Sequence, residues 1–403
     1  MRRILVYTHN SIGLGHAVRT LSVITGMRKW RPDLDFLVIS GGSAPQLFLK
    51  EGIDIVKLPG IMQEIDKPGA PYTPRYLKTF SVYDLFDYRT RVILDTLDFF
   101  KPDVVMVEHT LTGLKGEAIP LVLRKNARRG RADEFALVHL SRGIYRSAPL
   151  IYVSPDGDDD AGDRINVASV YDYIYVLEDR SVCDFNAEYL GGSPELDAKI
   201  RYLGRITSKT RQELPPRREI LSHWALSEKS LIVMSLGRHG QVAQLAGKFF
   251  EAFERMGFLD EYQVVMSFDP YLPTETKAAT TGHPLADKVR FLPFAHSIID
   301  LLSIAELAVC RAGYNIVNEV LLTQTKAVVV PEQHPNHEQE RRAATMPENM
   351  VAIRTEQDIL AGQPDEAIRE LLAREPGLFA PDYDKYTVGQ RILEDLDTWE
   401  MDS

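Results

Sequence analysis

Short unbroken runs of apolar, β-branched residues recur along this chain, each separated by a longer stretch of helical periodicity, and the pattern restarts near the middle. The first round comprises Ile4–Thr8, Asp35–Ser40, Ile53–Lys57, Asp103–Val107, Phe135–Leu140 and Tyr173–Leu177. The second comprises Leu231–Ser235, Gln263–Ser267, Val289–Leu292, Leu307–Cys310, Ala327–Val330 and Met350–Ile353. Continuous rather than alternating apolarity marks strands covered on both faces, the condition of a parallel sheet with helices outside. Between the first two runs, Leu14–Trp30 carries Leu14, Val18, Leu21 and Arg28 at helical spacing. An α/β fold of doubly wound, Rossmann-like sheets is predicted.

A chain of 403 residues is too long for one ordinary core, so the restart reads as a domain boundary. Thr207 to Arg218 is polar and holds Pro215 and Pro216, a linker composition. This places a first domain at 1–205, a linker at 206–218, a second domain at 219–385 and a closing helix over 386–403 that crosses the junction. Ligands of doubly wound sheets sit beyond the strands' carboxyl ends, so the two domains are expected to face a central cleft.

The net charge of −10 argues against nucleic acid as a partner, because phosphate contact needs basic surface. Cys183 and Cys310 are the only cysteines and lack metal-ligand spacing, which fits reduced thiols in a cytosol. No segment approaches the ~18 apolar residues of a membrane span. Met1-Arg2-Arg3 before Ile4–Tyr7 starts a strand rather than a signal peptide. The expectation is a cytoplasmic protein with no stable membrane insertion. No apolar patch is legible in the first domain's loops, which favours a soluble partner molecule. The acidic run Pro155–Asp160 reads as a solvated loop rather than a Mg²⁺ site.

Chemistry concentrates after particular strands. Gly13-Leu14-Gly15-His16 follows the first strand and opens the first helix, a backbone cradle with His16 projecting from it. A dinucleotide fingerprint is a poor fit, since Val18 occupies the third Gly position and Ile39-Ser40-Gly41-Gly42 supplies no acid for a ribose. Glu108-His109 ends another strand of the first domain, where acid and imidazole suit general-base work; the competing reading is a buried pair satisfying each other.

In the second domain, Gly237-Arg238-His239-Gly240 repeats the loop design, with Arg238 and backbone amides suited to a diphosphate. Phe294-Ala295 could line a pocket for a flat base or simply pack. Ala312-Gly313 is a Gly turn between a strand and a helix, the arrangement that collects backbone N–H groups for an anion. Glu319, further along that helix, can accept two hydrogen bonds from a ribose diol. His334 lies in a polar loop without a clear metal-ligand set, and Glu338-Gln339 can hold sugar hydroxyls.

With these residues in view, the chain resembles GT-B glycosyltransferases, and most closely the family of the bacterial UDP-N-acetylglucosamine transferase of peptidoglycan synthesis, the MurG-like glycosyltransferase family 28. The resemblance rests on Gly13-Leu14-Gly15-His16, Cys310-Arg311-Ala312-Gly313 with Glu319, and Pro331-Glu332-Gln333-His334 with Glu338-Gln339. The phosphate loop corresponds to Leu236–Gly240 and the uracil pocket to Phe294-Ala295. Two departures stand out: Glu338 where the family has Gln, and Arg238 where it has Ser. The resemblance implies inverting, metal-independent transfer from a UDP-sugar co-substrate to a hydroxyl of a natural product or another sugar. His16 would act as base with Glu108 or His109, and no further cofactor is implied. Two other readings remain open: a UDP-sugar 2-epimerase of the same fold, and a non-catalytic nucleotide-sugar-binding subunit.

Overall fold

The computed structural model describes residues 1–8, 14–63, 71–145, 151–154, 164–292, 297–333, 337–362, 364–375, 381 and 383–402. Gly13, Phe294, Ala295 and His334, and the acidic run 155–160, lie outside the described residues. The chain forms two compact units, residues 1–206 with 384–403, and residues 207–383.

The main sheet of the first unit consists of β1 (Arg3–Thr8), β2 (Asp35–Ser40), β3 (Asp54–Lys57), β4 (Val104–Glu108), β5 (Ala136–Ser141), β6 (Tyr173–Val176) and β7 (Ile200–Tyr202). They pair in the order β7-β6-β5-β4-β1-β2-β3, all parallel. Six of them coincide with the apolar runs of the sequence to within one or two residues. The seventh, β7, is three residues long and only Ile200 is buried, which leaves no apolar run to read. Helix α1 (Gly15–Trp30) covers one face. The expected junction helix, α2 (Lys385–Asp402), belongs to this unit and packs along α1. The reason is local: a Cβ on Gly26 would run into the Lys385 carbonyl, and one on Gly389 into the Gly26 backbone. Only paired glycines let these two helices approach so closely.

The second unit contains β8 (Leu231–Ser235), β9 (Gln263–Ser267), β10 (Val289–Leu292), β11 (Ala305–Cys310), β12 (Ala327–Val329) and β13 (Val351–Ile353). Their order is β10-β9-β8-β11-β12-β13, again parallel throughout. Apolar side chains fill both faces of this sheet: Ile232, Met234, Phe249, Phe250 and Val309 on one side, and Val233, Val265, Ala308, Val317 and Leu321 on the other. Both units are therefore doubly wound α/β sheets, as the uninterrupted runs require.

One stretch could not be read for burial from the sequence. Tyr76, Leu77, Phe80 and Tyr83 stand exposed at 75%, 44%, 52% and 81% in the first unit. Aromatic residues scattered through a turn-rich stretch carry no periodicity, so the sequence gives no sign of which side they face. Among the described residues no helix is long and apolar enough to cross a membrane.

Candidate active site

In a doubly wound sheet the loops after two neighbouring strands part in opposite directions where the strand order reverses, and the crevice left there receives the ligand. In the first unit that point lies between β1 and β4, whose register pairs Tyr7 with Val107. The next residues after that pairing are Thr8, which leads toward His16, and Glu108. His16 and Glu108 come together because of this topology.

The His16 Nδ1 lies 2.9 and 3.0 Å from the two carboxylate oxygens of Glu108 and 3.0 Å from Nη2 of Arg19. Arg19 Nη2 also donates to the same Glu108 oxygen. Glu108 is fully buried and Arg19 nearly so, whereas the His16 side chain keeps 18% of its surface. A carboxylate only accepts and a guanidinium only donates. With both set against Nδ1, the two Glu108 contacts favour the tautomer with the proton on Nδ1 and the lone pair on Nε2, and Arg19 then bonds Glu108 rather than the ring. Burial lowers the His16 pKa against the pull of Glu108, and the cations of Arg19 and Arg142 push the same way as burial. The imidazole is therefore held neutral. Glu108, with no exposed surface, orients the histidine rather than meeting substrate itself.

His109 stands at φ 80°, a left-handed backbone, and its ring meets the His16 ring edge-on with centroids 4.6 Å apart. Its other face turns to Tyr145, 5.8 Å away. His139, beneath them, is a core histidine: Nδ1 bonds the Val107 carbonyl at 2.8 Å and Nε2 the Tyr145 hydroxyl at 2.7 Å. Burial takes its pKa down to about 4. Further along, Arg89 grips both oxygens of Glu117 at 2.6 Å, and Tyr7 donates to Glu117 at 2.5 Å. This buried triad fastens the chain that follows His109 back onto β1. Gly15 is exposed at the start of α1.

The second unit repeats the topology. Its order reverses between β8 and β11, where Ser235 pairs with Cys310. The loop Leu236–Gly240 follows one strand and Arg311–Gly313 the other. Here the chemistry is of a different kind. Arg311, only 5% exposed, donates to the carbonyls of Leu236 at 3.0 Å, His239 at 2.9 Å and Val330 at 3.3 Å, and pairs with Glu356 at 2.5 Å. One guanidinium thus ties together the loops after β8, β11 and β12. Gly240, at φ 74°, closes against this pair: a Cβ there would overlap the Glu356 carboxylate and lie 3.0 Å from Arg311 Nη2. Sequence reading placed Arg311 in a motif without seeing this role; a lone charged residue directly after an apolar strand is the signal that could have found it.

The remaining donor-side expectations take definite positions. Gln339 accepts from the backbone N–H groups of Ala312 and Glu332, both at 3.0 Å, and donates to Glu332 at 2.9 Å. Glu338 is 2% exposed and pairs at 3.2 Å with Arg342, which also reaches the Ala312 carbonyl at 3.3 Å and stands over the Tyr314 ring. This acid–amide pair buttresses the Ala312-Gly313 turn. Arg238 pairs with Asp269 at 3.1 Å, and His239 Nδ1 stands 4.0 Å from Glu332. Gly237 turns at φ 68°.

Glu319 lies in the second turn of helix Tyr314–Thr323 and accepts from the Ser297 hydroxyl at 2.7 Å. Burial pushes its pKa up to about 7, with Asp300 adding to the rise and Ser297 opposing it. The Ile298 backbone N–H also bonds this buried carboxylate and opposes the rise. Cys310, fully enclosed, has its thiol pushed up to about 12 and is inert. No group of three or more His, Cys, Asp or Glu side chains among the described residues could hold a metal.

Residues 240–385 match the glycosyltransferase family 28 C-terminal domain. No curated protein matches the sequence. Among solved structures, UDP-GlcNAc 2-epimerase from Neisseria meningitidis is similar at 13% identity with a TM-score of 0.65, covering 99% of this chain and 100% of that one. MurG from Acinetobacter baumannii is similar at 14% identity and a TM-score of 0.54, over 99% and 100% of the two chains. The spinosyn rhamnosyltransferase SpnG gives 13% identity and 0.56, over 99% and 96%. The chain thus has the GT-B fold, and residues 240–385 are similar to the glycosyltransferase family 28 C-terminal domain.

Proposed function

We propose that the protein is an inverting glycosyltransferase that moves a sugar from a UDP-sugar to a hydroxyl of a small-molecule acceptor, a natural product or another sugar. The observation that carries this reading is the family 28 match over residues 240–385, which spans Arg311–Gly313, Glu319 and Glu338-Gln339 together. Glu319 accepts from the ribose diol. The amides of Gly237–Gly240 and the turn at Ala312-Gly313 meet the diphosphate, with Arg238 and His239 beside them, and stabilise the charge that develops on it. Glu338 and Gln339 hold the loop that frames the sugar.

His16 Nε2 takes the acceptor's hydroxyl proton as that oxygen attacks the anomeric carbon. The bond from that carbon to the diphosphate breaks, UDP leaves with the bonding pair, and the configuration inverts. No metal is needed for the leaving group in this scheme, and no cofactor beyond the co-substrate is invoked.

A second reading has its own support. The UDP-GlcNAc 2-epimerases among the similar structures reach TM-scores of 0.60 to 0.65, above the 0.54 to 0.56 of the transferases. Thermal stabilisation by UDP, dTDP, GDP and NAD, followed by UDP-sugars with and without acceptor hydroxyls, separates the two. UDP stabilisation with sugar appearing on an acceptor supports transfer. An epimerised sugar released without acceptor supports the epimerase. A shift with NAD alone contradicts both.

A further inference from the structure

Beyond the expected base, the first unit holds an arginine that a simple acid–histidine pair does not need. Arg19 sits one turn after His16 on α1, is 3% exposed, and donates to the very oxygen of Glu108 that His16 approaches at 2.9 Å. Burying a cation beside a base is costly unless it has a task there. We propose that Arg19 is a positioning residue for His16: by sharing Glu108 with the imidazole it neutralises that carboxylate, so the ring stays uncharged with its proton on Nδ1 and its lone pair on Nε2. The inference rests on the reading of His16 as base.

The physical argument is a balance of charges around one ring. Facing His16 are Glu108 from the end of β4, Arg19 from its own helix, Arg142 after β5 and the ring of His109. With Glu108 alone, a buried carboxylate would favour imidazolium, and a protonated base takes no proton from an acceptor. Arg19 cancels that charge, and its own field and that of Arg142 oppose protonation further. A histidine oriented by an acid and kept neutral by burial, with an arginine offsetting the acid's pull, remains a competent base below neutral pH.

The test is Arg19→Gln, which keeps a hydrogen-bond donor toward Glu108 and removes the charge. Imidazole ¹⁵N shifts of His16 are followed against pH in the full-length protein, beside the pH dependence of kcat/KM. The expected result is His16 protonating at higher pH in the variant, with turnover at pH 6 falling about tenfold or more relative to pH 8. Arg19→Lys keeps the cation, and is expected to restore most of the wild-type pH dependence even if overall turnover drops. An unchanged ¹⁵N titration in Arg19→Gln overturns the proposal. So does a uniform fall in rate at all pH values, the mark of a merely structural arginine. His16→Ala with full turnover would instead overturn the base assignment itself, so the two failures are distinguishable. Should Arg19→Gln not fold, a Lys variant titrating differently from wild type in the ¹⁵N spectrum despite its charge is the overturning result.

Discussion

The two switch points share a topology and differ in what they do with it. Between β1 and β4, side chains face one another: His16, Glu108 and Arg19 form a charge-balanced cluster that leaves one nitrogen with a lone pair. Between β8 and β11, side chains face the backbone: Arg311 fixes three carbonyls and Gln339 two N–H groups, so the loops themselves are what the site presents. The first arrangement suits moving a proton, which needs a tuned titratable group. The second suits binding a large polar anion, which needs many fixed dipoles. One fold supplies both because the crevice geometry is common and only the residues at strand ends change.

If that contrast is correct, removing His16 strikes chemistry hardest. His16→Ala is expected to lower kcat by about 10²–10⁴-fold with little change in nucleotide affinity. A rate loss below tenfold in steady-state kinetics breaks the assignment. Next in size, Arg311→Met is expected to cost about 3 kcal/mol of stability, since three carbonyls and Glu356 lose their partner together. Denaturant unfolding measures it, and nucleotide binding should fall as well; a variant of wild-type stability would mean the clasp does not hold the loops.

Glu319 sharpens the contrast through pH. Its carboxyl takes up a proton near pH 7 when folded, against an ordinary value of 4.5. Between those values the folded chain holds the extra proton, so stability falls as pH rises through this window. The penalty is absent below about pH 4.5 and complete above about pH 7. Glu319→Gln is therefore expected to stabilise the unliganded protein at pH 8, by about 3 kcal/mol, and to do little at pH 4.5. It should weaken UDP binding at the same time. A variant that is both more stable and a poorer binder identifies a carboxylate kept for its ligand. The smallest effect marks the scale: Arg91→Ala, which removes an exposed i,i+4 pair with Asp87, should change stability by under about 0.5 kcal/mol in the same unfolding assay.

Much of this was legible in the chain. Twelve of the thirteen described strands in the two parallel sheets follow from unbroken apolar runs, because burial on both faces leaves no polar alternation to confuse them. The short strand Ile200–Tyr202 escaped, carrying a single buried residue. His16, Glu108 and Glu319 could be singled out because a titratable residue just past an apolar strand, or inside a helix that opens on a Gly turn, is conspicuous. Their partners could not. Arg19 lies among helix residues whose spacing predicts only burial, and nothing in a sequence tells that its guanidinium reaches a strand 89 positions away. Gln339 is similar: its position suggested a sugar contact, and only the fold shows its amide bonded to Ala312 and Glu332. The exposed aromatics at 76–83 were missed because exposure in a stretch without periodicity is a tertiary property.

The division of labour is tested most directly by calorimetric titration of UDP into the wild-type protein, His16→Ala and Glu319→Ala. The account predicts that His16→Ala binds UDP as the wild type does, while Glu319→Ala loses affinity by tenfold or more, roughly one strong charge-assisted hydrogen bond. Loss of UDP binding in His16→Ala, or full binding in Glu319→Ala, would contradict it.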